Sequence, residues 1–141
     1  MAFGKKALPP AYAAREKFLK RLDAQGVHYA REAAQPVVRI PYNGEHFRDV
    51  VFSFVFDEDG LSVGLRVFSI AKFSKAQLDD AYEFCNRMNS EFRWMRFFVD
   101  GDRELTASAD AVVTDDTCAE ICRQLLARAV GIVDAVCKEL N

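Results

Sequence analysis

Histidine is almost missing from this chain: His28 and His46 are the only two in 141 residues. A structural zinc site draws four ligands from cysteine pairs and histidines. Cys118 and Cys122, one helical turn apart, have no histidine near them in sequence, so no metal site is expected and Cys85, Cys118, Cys122 and Cys137 read as reduced, small core residues. Basic excess is also lacking. Nineteen Lys and Arg against twenty-one Asp and Glu leave a net charge of −2, which gives no overall attraction to nucleic acid or to an anionic membrane. There is no apolar run of about eighteen residues and no basic leader followed by an apolar stretch, so neither a spanning helix nor a signal peptide is expected, and the chain is placed in the cytoplasm. Gly-x-Ser-x-Gly, His-Glu-x-x-His, phosphate-loop and dinucleotide patterns are absent, so no enzyme class and no cofactor is expected.

Hydrophobic residues make up half of the sequence, enough for one domain spanning residues 1–141 with a sizeable core. Pro9 and Pro10 open a first helix with Leu8, Tyr12, Phe18, Leu19 and Leu22 near one side, and Gly26 stops it. Short extended runs follow at 27–32 and 37–42. Asn43-Gly44 is a turn, and residues 48–57 carry Val50, Val51, Phe52, Phe54, Val55 and Phe56, which suit a central strand. With Asp57 to Gly60 as a hairpin turn, Phe56 meets Val63, Phe54 meets Leu65 and Phe52 meets Val67 on one face. On the other face Val55 meets Gly64, Ser53 meets Arg66 and Val51 meets Phe68. Ser74-x-x-Gln77 is a capping box opening a second helix, with Leu78, Ala81, Tyr82, Cys85 and Met88 as its apolar stripe and Asn89-Ser90 as its end.

A second hairpin is then predicted around Asp100-Gly101-Asp102-Arg103, pairing Phe98 with Leu105, Arg96 with Ala107, Trp94 with Ala109, Arg93 with Asp110 and Phe92 with Ala111. Asp115 to Thr117 cap a long third helix whose apolar positions run from Cys118 to Leu140. The order α-β-β-β-β-α-β-β-α, with hairpins inside each strand group, predicts an α+β fold: an antiparallel sheet of five or six strands with three helices. The acidic turns at 57–59 and 100–102 lack the twelve-residue spacing of a calcium loop.

These elements resemble the YbjN family of bacterial proteins, also called bacterial sensory-transduction regulators. The likeness rests on the helix ending at Gly26, on Phe52-Ser53-Phe54-Val55-Phe56-Asp57-Glu58-Asp59-Gly60, on Asn86-x-x-Asn89 followed by Phe92-Arg93-x-x-Arg96-Phe97, and on Asp100-Gly101-Asp102-x-Glu104-Leu105. The resemblance implies a fold like that of type III secretion chaperones and a non-enzymatic regulatory or chaperone-like role.

Residues 50–56 are apolar on both faces, and twelve phenylalanines exceed what one helix-covered face requires. The second face therefore needs a cover: helix one, a second copy or a segment of a partner protein, and of these a second copy in a homodimer is expected. The candidate contact residues are Arg66, Tyr82, Asn86, Asn89, Trp94 and Arg96. Asn86 and Asn89 read first as amides satisfying a helix end. In an alternative reading, a pocket between helix two and the sheet, walled by Tyr82, Phe92 and Trp94, uses the Arg96 fork to hold a small anionic ligand.

Overall fold

The structure, a computed structural model, describes residues 7–141. Helix α1 (Pro10–Ala24) opens on Pro10, whose missing N–H has no role in the first turn, and the chain leaves it through Gly26 in the left-handed region (φ 68°). Phe18, Leu19 and Leu22 are buried as their spacing predicts. Leu8 is not part of that stripe, because the helix starts after it and leaves it exposed.

Strands β1 (Ala30–Arg31), β2 (Val37–Tyr42), β3 (Val50–Phe56) and β4 (Ser62–Lys72) form consecutive antiparallel pairs. The chain then makes a single 3₁₀ turn (Lys75–Gln77) and helix α2 (Leu78–Glu91), returns as the hairpin β5 (Arg96–Val99) and β6 (Glu104–Val112), and ends in α3 (Cys118–Leu140). The six strands lie in the order β1-β2-β3-β4-β6-β5, so β6 closes against β4 and short β5 forms an edge. This is the α+β arrangement that the pattern of elements predicts.

Register follows the side chains in the first hairpin: Phe52, Phe54 and Phe56 lie opposite Val67, Leu65 and Val63. All six are buried, and the Phe18 ring of α1 meets Phe54 edge-on at 4.8 Å. The phenylalanine face of β3 is thus sheltered by the chain's own helices. The predicted pairing of Val51 with Phe68 does not form. A bulge between Val67 and Ala71 interrupts the ladder, Ser69 takes φ 57°, and Phe68 is left exposed.

The second hairpin is displaced by one residue from the predicted register. Phe97 faces Ala107, Phe98 faces Thr106 and Arg96 faces Ser108. The cause is the turn: Asp100 N–H bonds to the Glu104 carbonyl and Arg103 adopts φ 60°, which makes a three-residue loop where a four-residue one was expected. Because side chains alternate, the slip sends Phe97 inward and turns Phe98 outward. Phe92 to Trp94 are not strand. The Met95 N–H bonds to the Arg93 carbonyl around Trp94 at φ 74°, the rare left-handed form of γ-turn, and β5 starts only after it.

On α2, Ala81, Cys85 and Met88 are buried, but Tyr82 is 53% exposed and does not belong to the stripe. Inward residues of the sheet and of all three helices form one hydrophobic core. It includes the four cysteines, all unpaired; a hydrogen bond to Cys118 and burial raise the Cys122 thiol far above its ordinary pKa.

Candidate functional site

The outer face of the sheet carries a row of residues that the cross-strand registers align. Arg39 on β2 is opposite Ser53 on β3, Ser53 opposite Arg66 on β4, Arg66 opposite Ser108 on β6, and Ser108 opposite Arg96 on β5. Three arginines thus alternate with two buried serines across five strands. Arg66 and Arg96 grip one carboxylate from two sides: Arg66 Nη2 lies 3.0 Å from Asp110 Oδ1 and Arg96 Nη2 lies 3.2 Å from Asp110 Oδ2. Arg96 Nε also donates to Ser108 Oγ at 2.8 Å, and Arg66 Nη1 donates to the carbonyls of Leu65 and Ala109. A side chain on Gly64 would meet the Arg66 guanidinium at 3.0 Å, so glycine at this point lets the arginine lie along the strand. Arg39 pairs with Glu32. Arg93, the partner that the sequence assigned to Asp110, lies over the Trp94 ring with 5.3 Å from Cζ to the ring centre.

Around this row the face is apolar and uncovered. Val51, Val55, Phe98 and Val112 are all exposed, Val112 by 81%. Trp94, 57% exposed, stands at the open end of β6 with Arg93 on one side and Arg128 of α3 on the other, both at cation–π distance. A left-handed γ-turn at a bulky aromatic is strained by about 1–3 kcal/mol. Trp94 lines three neighbouring hollows, one of them, of about 370 Å³, shared with Val112, Ile121, Gln124, Leu125 and Arg128.

The same end of the sheet has an unpaired edge. Pairing with β5 stops at Ser108, whereas β6 runs on to Val112. The Val113 N–H points to β4, where it bonds to the Leu61 carbonyl, and alternation then turns the N–H and C=O of Val112 and Asp110 toward the open side.

The remaining predicted residues are not gathered there. Asn89 closes the other stretch of edge: its side-chain Nδ2 donates to the Phe97 carbonyl at 3.0 Å and its Oδ1 accepts from the Phe97 N–H at 2.7 Å. One amide therefore stands in for a neighbouring strand along β5. Asn89→Ala removes both bonds and is expected to cost about 2 kcal/mol in urea unfolding, with amide exchange at Phe97 accelerated. Asn86 is exposed on the solvent side of α2, as is Tyr82. The one-residue slip carries Arg96 to the outer face, where it lines a hollow with Trp94, and no hollow described among residues 7–141 brings Tyr82 to either of them.

His46 and Asp134 make a separate contact. Asp134 accepts from the His46 backbone at 2.8 Å, its other oxygen lies 3.1 Å from His46 Nδ1, and the backbone bond leads the causes that depress its carboxyl pKa. Glu45 completes a cluster of three possible metal ligands. The hydrogen bonds already account for it as a tie between the 43–48 loop and α3, and a side chain at Gly44 would run into the Asp134 carboxylate. His28 is exposed ahead of β1. Asp100 turns its carboxylate into its own turn, accepting from the Asp102 and Glu104 N–H groups and from Thr106 Oγ1.

Sequence reasoning missed Arg39 and Ser108 as members of the row. Arg39 was legible as the one charged position in Val37-Val38-Arg39-Ile40; Ser108 was hidden by the turn length that set the slip.

No helix among the described residues is long and apolar enough to cross a membrane. No protein of curated function matches the chain. Among solved structures, the crystal structure of YbjN from E. coli, a "putative transcription regulator", is similar in fold: TM-score 0.64 at 11% identity, covering 89% of this chain and 92% of that one. The sequence profile of YbjN, "Putative bacterial sensory transduction regulator", matches residues 16–140, and with that match the chain belongs to the YbjN family.

Proposed function

We propose that this chain is a non-enzymatic, chaperone-like regulatory domain of the cytoplasm that works through protein contact. It forms a homodimer and holds a partner polypeptide against the outer face of its sheet. The observation that carries this reading is the uncovered end of the sheet. Strained Trp94, exposed Val112 and the free edge of β6 occur together where the chain's own helices leave room. An extended segment added to that edge gains backbone hydrogen bonds, while Trp94 and the hollow beside it receive alternate side chains. The edge is also self-complementary, since a twofold axis brings two copies of residues 110–112 together antiparallel. The arginine row favours a partner with carboxylates, because Arg66 and Arg96 share only Asp110.

Val112→Pro tests it. The substitution removes an N–H that faces the open side and leaves the β4 ladder intact, as edge positions allow. Light scattering at tens of micromolar should give a particle of two chains for the native protein and one chain for Val112→Pro, with Val112→Thr unchanged. A native monomer would count against the homodimer. Equal recovery of the same partners by the native and Val112→Pro proteins would remove the edge from the reading.

A further inference from the structure

A cavity of about 630 Å³ lies at the opposite end of the sheet from Trp94, away from the free edge of β6, and shares Arg39, Ser53 and Val51 with the outer face. It is a cleft made by the bulge. Phe68 to Ile70 have no ladder partner on either β3 or β6, so the end of β4 swings away from the start of β3. Two of the four non-glycine residues with positive φ among the described residues, Asp49 and Ser69, lie on this cleft. Strain concentrated where a sheet parts is a reason to look for a ligand. The walls divide by chemistry. Phe47, Val50, Val51, Ile70, Phe73 and Leu140 supply apolar surface; Arg39, Arg48 and Lys72 supply positive charge.

Those charges are not equivalent. Arg39 is paired with Glu32, and the His46 ring on the same wall faces Asp134. Arg48 and Lys72 have neither an ion pair nor a side-chain hydrogen bond among the described residues, Lys72 acting on Asp100 only at longer range, and Asp49 is the one acidic side chain among the residues that line the cleft. A cavity of this size fits a small organic molecule, and two uncommitted cations over an apolar floor select its class. We propose that the cleft binds a small organic anion: a carboxylate carried on an apolar body, the body against Phe47, Val51 and Ile70 and the charge against Arg48 and Lys72.

Calorimetric titration of the whole chain with three probes separates the contributions. Decanoate carries both features, decanol the apolar body alone and inorganic phosphate the charge alone. Decanoate should bind, with decanol and phosphate each weaker by about tenfold or more. The double variant Arg48→Ala/Lys72→Ala should weaken decanoate by a similar factor, the scale of losing two charge-assisted contacts. Arg93→Ala, which removes a cation at the other end of the sheet, should leave binding unchanged. Both altered side chains are surface groups, and an unchanged thermal midpoint would show that the double variant keeps its fold. The assignment is overturned if decanoate does not bind, if decanol binds as well as decanoate, if phosphate alone matches it, or if the double variant binds like the native chain.

Discussion

Phe54→Ala is expected to cost about 4 kcal/mol, read as a lower urea midpoint at unchanged slope. Phe54 is fully buried, sits between Val38 and Leu65 on the neighbouring strands, and takes the edge of the Phe18 ring from above. Alanine there leaves a ring-sized void among close-packed neighbours, and the loss of the aromatic pair adds to the transfer cost. The informative control is one residue away. Val55 points to the bare face and is partly exposed, so Val55→Ala should change stability by about 0.5 kcal/mol or less. A comparable cost at both positions would mean that the outer face is packed in solution, by a second copy or a bound segment. The control therefore also reports on dimerisation, and repeating it at dilute and concentrated protein separates the two contributions.

What the sequence made legible follows from where its signals are local. Pro10, Gly26 and the alternation through Phe52 to Phe56 each act within a few residues, and the first helix, β3 and the first hairpin register appear where they point. Gly60, with φ 70°, fixes that turn, so nothing further along the chain had to be known. The second hairpin lacked such a marker. Asp100-Gly101-Asp102-Arg103 is compatible with loops of three or four residues, and the choice rests on Arg103 accepting a left-handed conformation while Asp100 binds the turn's N–H groups. One residue of difference there moved Arg96 from an expected inner anchor to an outer row.

The same reasoning applies to the surplus of apolar residues. The sequence shows that residues 50–56 are apolar on both faces, but not which phenylalanines its own helices cover. In the fold Phe52, Phe54 and Phe56 are covered. The uncovered surface comes from Val51, Val55, Phe98, Val112 and Trp94, three of which lie beyond that strand. Their gathering depends on long-range pairing of β4 with β6, which no local pattern announces. The bulge cleft is less legible still, since Phe68-Ser69-Ile70 continues a strand-like run without glycine or proline to mark the break.

Arg15→Ala is expected to cost about 3 kcal/mol, more than an arginine in a surface helix ordinarily would. In sequence Arg15 sits in an unremarkable Ala-Arg-Glu stretch of α1. In the fold it is buried, and Nη1 donates to the carbonyls of Glu32 at 2.6 Å, Gln35 at 2.8 Å and Val37 at 3.4 Å, with Cζ 5.0 Å from the centre of the Tyr12 ring. The Glu32 and Gln35 carbonyls belong to the link that carries the chain from β1 into β2, and Val37 opens β2. Neither Glu32 nor Gln35 has a ladder partner, so the guanidinium supplies there what the sheet does not. Its Nε has no partner, which reduces the gain from burial and keeps the expected loss at the lower end for a charged group bonded to several carbonyls. Arg15→Lys should recover only part of the loss, because an ammonium lacks the planar guanidinium that lies over the Tyr12 ring while its Nη1 reaches the carbonyls. Hydrogen exchange gives the local signature: the Glu32 N–H, bonded to the Val37 carbonyl at 3.3 Å, should lose protection in Arg15→Ala before the amides of β3 do. A loss below about 1 kcal/mol with Glu32 protection intact would show that water serves those carbonyls as well as the arginine does.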